Sequence, residues 1–210
     1  MEHTIRPQEL ALLDKLLGRY QVLEVLRQPL LEAFGLLVES FTNGHKLLVC
    51  GNGGSAADAD HIVGELMKGF FKLRPLPEAT LQQLGPNAAL LQGALPAISL
   101  VHPASLLTAF INDVGHEMMY AQQVYGLGSP GDVFIGISTS GNAVNVNNAA
   151  QIAQAMGLTV ISLTGQHGGA LKAVSQVCLT VPATVTAEIQ ELHLPVYHTL
   201  CAMLEEHFFG

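Results

Sequence analysis

Charge is scarce in this 210-residue chain: 12% of its residues are Asp, Glu, Lys or Arg, while 49% are apolar. That balance excludes intrinsic disorder, which needs low hydrophobicity and dense charge. Positive charge is scarcer still. Nine Lys and Arg stand against seventeen Asp and Glu, a formal net charge of −8, so binding to nucleic-acid phosphates would work against the chain's own field. Cysteine is limited to Cys50, Cys178 and Cys201. Three widely spaced thiols in apolar sequence, with no CxxC or zinc-finger spacing, read as buried and reduced, which predicts a cytoplasmic protein. A long unbroken apolar run is also missing. The charge-free stretch from Ala88 to Ile111 is interrupted by Gln92, Pro96, His102 and Pro103, which argues against a membrane span. The opening Met1, Glu2, His3 and Thr4 lead into polar, amphipathic sequence, so no signal peptide is expected. Sparse charge with a positive mean hydropathy predicts apolar surface buried between subunits, and hence a homo-oligomer.

Periodicity then supplies the organisation. From Gln8 to about Asn43 the pattern is helical, with Leu10, Leu13, Leu16 and Leu17 on one face and Leu26, Leu30, Leu31, Phe34 and Leu37 on another. The next apolar runs are short and continuous, as in strands buried on both faces: 46–50, 132–138, 158–163 and 177–181, with 96–100 a further one. Segments of helix length separate them, notably 56–68, 142–157 and 186–208. Alternation of this kind predicts one α/β domain, a parallel sheet flanked by helices, over residues 45–210, preceded by a helical extension over 1–44. The segment 73–95 is broken by Pro75, Pro77 and Pro86; short helices at 79–84 and 88–93 are expected, serving as a lid or a subunit contact.

Two strand-to-helix loops are suited to an anion. GNGGS at 51–55 offers glycines for close backbone approach and the free N–H groups of a helix start. STSGN at 138–142 adds three hydroxyls after the next strong strand. A Gly-rich turn alone is commonly a tight connection, but two of them at the carboxyl ends of parallel strands lie where such sheets bind ligands. Neither a Walker loop nor GxGxxG is present, which argues against a nucleotide triphosphate or a dinucleotide.

The phrases CGNGGSAADADHIVGEL, GDVFIGISTSGN, ISLTGQHGG and EIQELHLPVYH resemble the SIS (sugar isomerase) domain family. Within it they resemble the phosphoheptose isomerase branch, which converts sedoheptulose 7-phosphate to D-glycero-D-manno-heptose 7-phosphate. The resemblance runs from about Leu10 to the C-terminus. It implies a flavodoxin-like α/β fold and a homotetramer with active sites at subunit interfaces. It also implies sugar-phosphate binding by Asn52, Gly53, Ser55, Asn112, Asp113, Ser138, Thr139, Ser140, Asn142 and Gln190. By spacing alone, His61 and Glu65 at i and i+4 share a helix face, and a plain surface pair is the simpler reading; His198 alone reads as an ordinary helix residue. By resemblance, His61, Glu65, Gln190 and His198 fall on the branch's ligands for a divalent metal, usually zinc, one per site. Glu65 and His198 fall on its acid/base pair.

Those side chains suit ketose–aldose isomerisation. A carboxylate can take a proton from the carbon beside the carbonyl and return it to the neighbouring carbon. An imidazole can carry the proton between the two oxygens through an enediolate. The chain also departs from the branch: Ala143 replaces a serine after STSGN, Val101 and His102 replace a Ser-Asp pair, and Lys68 and Gly69 stand where an Arg is common. The stretch from Pro77 to Pro96 is about twenty residues longer than usual. Pro195, between Gln190 and His198, would remove the intrahelical bond to Glu191 and either kink the helix or start a second segment. Two other classes remain open: a non-catalytic SIS protein that binds a protein partner, of the replication-initiator-regulator type, which residues 112–125 resemble, and a sugar-phosphate sensor. Retention of Glu65 and His198 favours the enzyme.

Overall fold

The structure, a computed structural model, describes residues 5–210; Met1–Thr4, which bear on the signal-peptide expectation, lie outside the described residues. Helix α1 (Pro7–Arg19) starts on a proline, and Glu9 reaches back to the Arg6 N–H at 2.7 Å, satisfying an otherwise unpaired donor. A 3-10 turn (Gln21–Leu26) separates it from α2 (Arg27–Thr42). Leu13, Leu16 and Leu17 of α1 and Leu30, Phe34 and Leu37 of α2 are buried, as their spacing predicts. All of them join the core beneath the sheet.

The strands are β1 (Leu47–Gly51), β2 (Ala97–Ser99), β3 (Val133–Ile137), β4 (Thr159–Thr164) and β5 (Val177–Thr180). They form one parallel sheet in the order β2-β1-β3-β4-β5. Alternate side chains serve opposite faces. Leu47, Val49, Val133 and Ile135 face a core shared with α1, α2, α3 (Gly54–Met67) and α9 (Thr186–Phe209). Leu48, Cys50, Phe134 and Val160 face the other, built with α6 (Met119–Leu127), α7 (Val144–Ala155) and α8 (Leu171–Val174). This strand order is the flavodoxin-like one, and its direction reverses between β1 and β3, opening a crevice at their carboxyl ends. Gly51 pairs with Ile137, so both candidate loops leave the sheet at the same level, on either side of that crevice.

Three elements differ from expectation or lay outside it. The insert carries α4 (Glu78–Leu84), but its second short helix is a 3-10 turn at Pro86–Leu90 rather than an α-helix over 88–93, Pro86 supplying the first position. Helix α5 (Ala104–Asp113) has no buried residue at all, and Leu106, Ile111 and Val114 are exposed. Helix α9 runs through Pro195 as one element of 24 residues, so no second segment starts there. The Glu191 carbonyl that the proline leaves without an amide belongs to an exposed residue lining a cleft of about 270 Å³ between α1 and α9. Water can satisfy it there.

Candidate active site

The anion end of the site is built from backbone. Helices α3, α7 and α9 all begin without a side-chain bond from the cap residue, and they bring the positive ends of three dipoles to the carboxyl edge of the sheet; in the first turns of α3 and α7, the Ser55, Ala56 and Val146 N–H groups are already paired. The two loops are tied together by a reciprocal amide pair: Asn52 Nδ2 donates to Asn145 Oδ1 at 2.9 Å, and Asn145 Nδ2 to Asn52 Oδ1 at 3.0 Å. Within the second loop, Ser140 Oγ accepts the Asn142 N–H at 3.1 Å, Asn142 Oδ1 accepts the Ala170 N–H at 3.0 Å, and Thr139 O accepts the Gly165 N–H. Ser138 is buried, and its hydroxyl lies 3.4 Å from the Ala143 N–H. Gly141 has φ +68°, and a Cβ there would stand 1.9 Å from the Gly168 carbonyl oxygen, so the loop's closure depends on that residue being glycine. Ser55 is buried in the first turn of α3, just after Gly53 at the cap position.

Gln190, in the second turn of α9, lies against this first loop: a Cβ on Gly54 would meet its Nε2 at 2.5 Å. Its amide therefore lies beside the first loop. Eight residues further along α9, His198 faces α3. Its Nε2 is 3.3 Å from His61 Nε2, and His61 Nε2 is 3.1 Å from Glu65 Oε1. The His61 and His198 rings meet edge to face at 4.7 Å. Burial of the His198 ring, and the His61 ring facing it, lower its pKa below the ordinary imidazole value, against an opposing pull from Glu65. Glu65 Oε2 is held at 3.1 Å by Lys68 Nζ, which also donates to Gly69 O. The cation that follows Glu65 is therefore Lys68.

Whether this trio suits a divalent metal can be judged from its spacing. Two ligands of a tetrahedral zinc, each about 2.0–2.1 Å from the ion, stand about 3.3 Å apart, and the two nearest separations here are 3.3 Å and 3.1 Å. Two imidazoles and a carboxylate are donors that zinc takes. Among the described residues, no group of three or more His, Cys, Asp or Glu side chains is placed so that together they could hold a metal ion; the fit is in donor type and in the two paired spacings.

Several supporting residues were invisible to sequence reasoning. Tyr197 lies 3.0 Å from His61 Nδ1 and donates to Asp58 Oδ1 at 3.2 Å. Burial raises the Asp58 pKa, against the Tyr197 hydrogen bond and His61; burial and Asp58 raise that of Tyr197. Arg74, fully buried, donates to the Glu65 and Leu66 carbonyls at 3.0 and 2.7 Å, closing the last turn of α3, and pairs with buried Glu205 at 2.9 Å. Glu205 also accepts the Phe70 and Phe71 N–H groups, both at 2.7 Å. At the β2 edge, where the Ser-Asp of the branch is replaced, Asp60 arrives from α3 instead. It accepts from Ser99 Oγ at 2.5 Å and lies 2.9 Å from His102 Nε2. Asn112 and Asp113 form the C-terminal turn of α5, bonded to each other at 2.8 Å. Within the protomer, no described hydrogen bond joins them to the other candidates.

The comparisons with known proteins agree with this architecture. The SIS domain family matches residues 19–165. A phosphoheptose isomerase of Trichlorobacter lovleyi is 42% identical over 92% of this chain and 90% of its own length. One from Akkermansia muciniphila is 35% identical over the whole of both chains. The solved structure of the phosphoheptose isomerase from Neisseria gonorrhoeae superposes with a TM-score of 0.75 at 33% identity, covering 97% of this chain and 100% of that one. With the strand order, the two loops at the crevice and the family's motifs in place, the chain belongs to the SIS domain family, in its phosphoheptose isomerase branch.

Proposed function

We propose that the chain is a phosphosugar isomerase that interconverts sedoheptulose 7-phosphate and D-glycero-D-manno-heptose 7-phosphate. The observation that carries this reading is the meeting of Glu65, His61 and His198 at one end of the α3–α9 seam, with the uncapped helix starts at the other. Gln190 and His198 are about 12 Å apart along the helix axis. That separation suits a sugar held by its phosphate at the loops with its carbonyl at the acid/base pair. In the net-negative chain the phosphate is held by free N–H groups and by hydroxyls of Ser55, Ser138, Thr139 and Ser140 rather than by a basic patch.

Glu65 takes the proton from the carbon next to the carbonyl and returns it to the former carbonyl carbon. Its carboxylate is held by Lys68 on one oxygen, with His61 Nε2 3.1 Å from the other. His198 carries the proton between the two substrate oxygens, the imidazole being the side chain whose ordinary pKa suits both taking up and giving back a proton near neutral pH. The Phe70 ring, 5.3 Å from that of His198, covers one side of the imidazole. His61, Glu65 and His198 would hold a zinc ion, one per site, which supplies Lewis-acid stabilisation of the enediolate oxygens when bound. Gln190 is assigned to the substrate by its place at the first loop.

A homotetramer with sites at subunit interfaces is proposed with it, supported by α5, an apolar helix with no residue buried in the protomer. A cytoplasmic location is proposed from the three free cysteines, of which burial pushes the Cys201 thiol up to about 12. Among the described residues, no helix is long and apolar enough to cross a membrane. Incubating the purified protein with zinc and sedoheptulose 7-phosphate, and following the aldose by NMR, tests the reading. Aldose is the expected product. Binding without turnover would mark a sensor, and neither binding nor turnover would leave the partner-binding class.

A further inference from the structure

We infer that Tyr197 and Asp58 form a positioning relay that fixes His61 in its Nδ1–H tautomer, so that the Nε2 lone pair points at Glu65 and His198. The inference rests on the proposed function only in placing His61 in the working site. Tyr197 has one hydroxyl proton and two neighbours: Asp58 Oδ1 at 3.2 Å and His61 Nδ1 at 3.0 Å. The competing arrangement gives that proton to His61. It would leave Asp58 without its one described side-chain donor, and its Oδ2 is already buried with no hydrogen-bond partner. A carboxylate stripped of donors in this setting is the costlier outcome. Tyr197 therefore donates to Asp58, and its oxygen can only accept from His61, which must carry its proton on Nδ1.

The consequence lies on the far side of the ring. Nε2 is left as a lone pair, 3.1 Å from a carboxylate oxygen and 3.3 Å from a second imidazole nitrogen. Towards the carboxylate that lone pair has no proton to offer, and the contact repels unless a cation lies between them; His198 Nε2 can meet it either as an N–H donor or as a second lone pair. The relay thus sets a preference for a divalent ion that the three donors alone would not hold, since a neutral histidine free to choose would place its proton on Nε2 and bond to Glu65. Asp58 and His61 are three apart on α3 and share a face. Tyr197 adjoins His198 on α9, buried and edge-on to the His61 ring at 5.5 Å. One tyrosine thereby couples the two helices that carry the site.

The test uses the full-length, metal-free protein with 15N-labelled histidine at mildly alkaline pH, the His61 signals being assigned by their loss in His61→Gln. Wild type should show a protonated Nδ1 and a bare Nε2. Tyr197→Phe keeps the ring and removes the hydroxyl, and should move the proton to Nε2. Zinc affinity, measured against a chromophoric chelator, should fall about 10-fold or more, as for other partners of ligating histidines. Asp58→Ala retains Tyr197 but frees its proton for His61. It should produce the same swap, which a merely packing role for the tyrosine would not, and it serves if Tyr197→Phe fails to fold. Wild-type His61 protonated on Nε2, or a tautomer unchanged in both variants, would overturn the inference; so would a zinc loss without a swap. Neither readout uses a sugar, so failure of the isomerase assay would be told apart from failure of the relay.

Discussion

The two ends of the α3–α9 seam are built on different principles. The loop end works through main chain: uncapped helix starts, a glycine at φ +68° and hydroxyls within a few residues of one another. The histidine end works through side chains brought together across 131 to 139 positions of sequence, as in the Arg74–Glu205 and Tyr197–Asp58 contacts. Recognition of a phosphate tolerates this local construction, because the dipoles and N–H groups come with the helix. Proton transfer does not, because the reacting groups must be held in register by neighbours that fold from elsewhere.

That contrast can be broken from either side. The largest expected effect is on turnover. Glu65→Gln and His198→Ala should each lower kcat by about 10²–10⁴ while leaving the melting temperature near that of wild type, measured by steady-state kinetics and thermal unfolding. Gly141→Ala should do the reverse: KM should rise far more than kcat falls, since the Cβ would collide with the Gly168 carbonyl and distort the loop. Equal losses in both constants would contradict the division of labour.

Next comes the scaffold. Arg74→Met strips the buried Glu205 carboxylate of its cation and frees the Glu65 and Leu66 carbonyls, so it should cost about 3–5 kcal/mol in urea unfolding. The double change with Glu205→Leu should recover part of that loss.

His193 separates stability from function by pH. It is fully buried, and burial lowers its pKa from 6.5 to about 4, against an opposing backbone contact at Thr164. The unfolded chain takes up the proton first. Stability is therefore complete above about pH 6.5 and falls as pH drops towards 4, by ~3 kcal/mol in all. His193→Leu should flatten this dependence in urea titrations between those values; an unchanged slope would contradict it. The smallest effect is expected at the β2 edge, where Asp60→Asn should raise KM a few-fold with little change in kcat if Asp60 meets the sugar hydroxyls.

Legibility in the sequence followed the same divide. Strands β1, β3, β4 and β5 were readable as short apolar runs, and the loops after β1 and β3 by their glycines and hydroxyls, because those signals are local. The pair His61 and Glu65 was visible as a spacing, yet took its meaning from the resemblance to the branch. Tyr197, Asp58, Arg74 and Asp60 carried no pattern: each acquires its partner when α3, α9 and β2 pack. Helix α5 was missed for another reason. Its apolar residues meet no core within the protomer, so no buried stripe marks it out.

Because the first loop and the histidines are carried by α3 and α9, with the second loop tied to the first through Asn52 and Asn145, the seam would act as a gauge of chain length. A ketose phosphate shorter than the span can seat its phosphate or offer its carbonyl, but not both at once. Pentulose phosphates should therefore occupy the loops as competitive inhibitors without being turned over, and selectivity would come from reach rather than from any contact that rejects them.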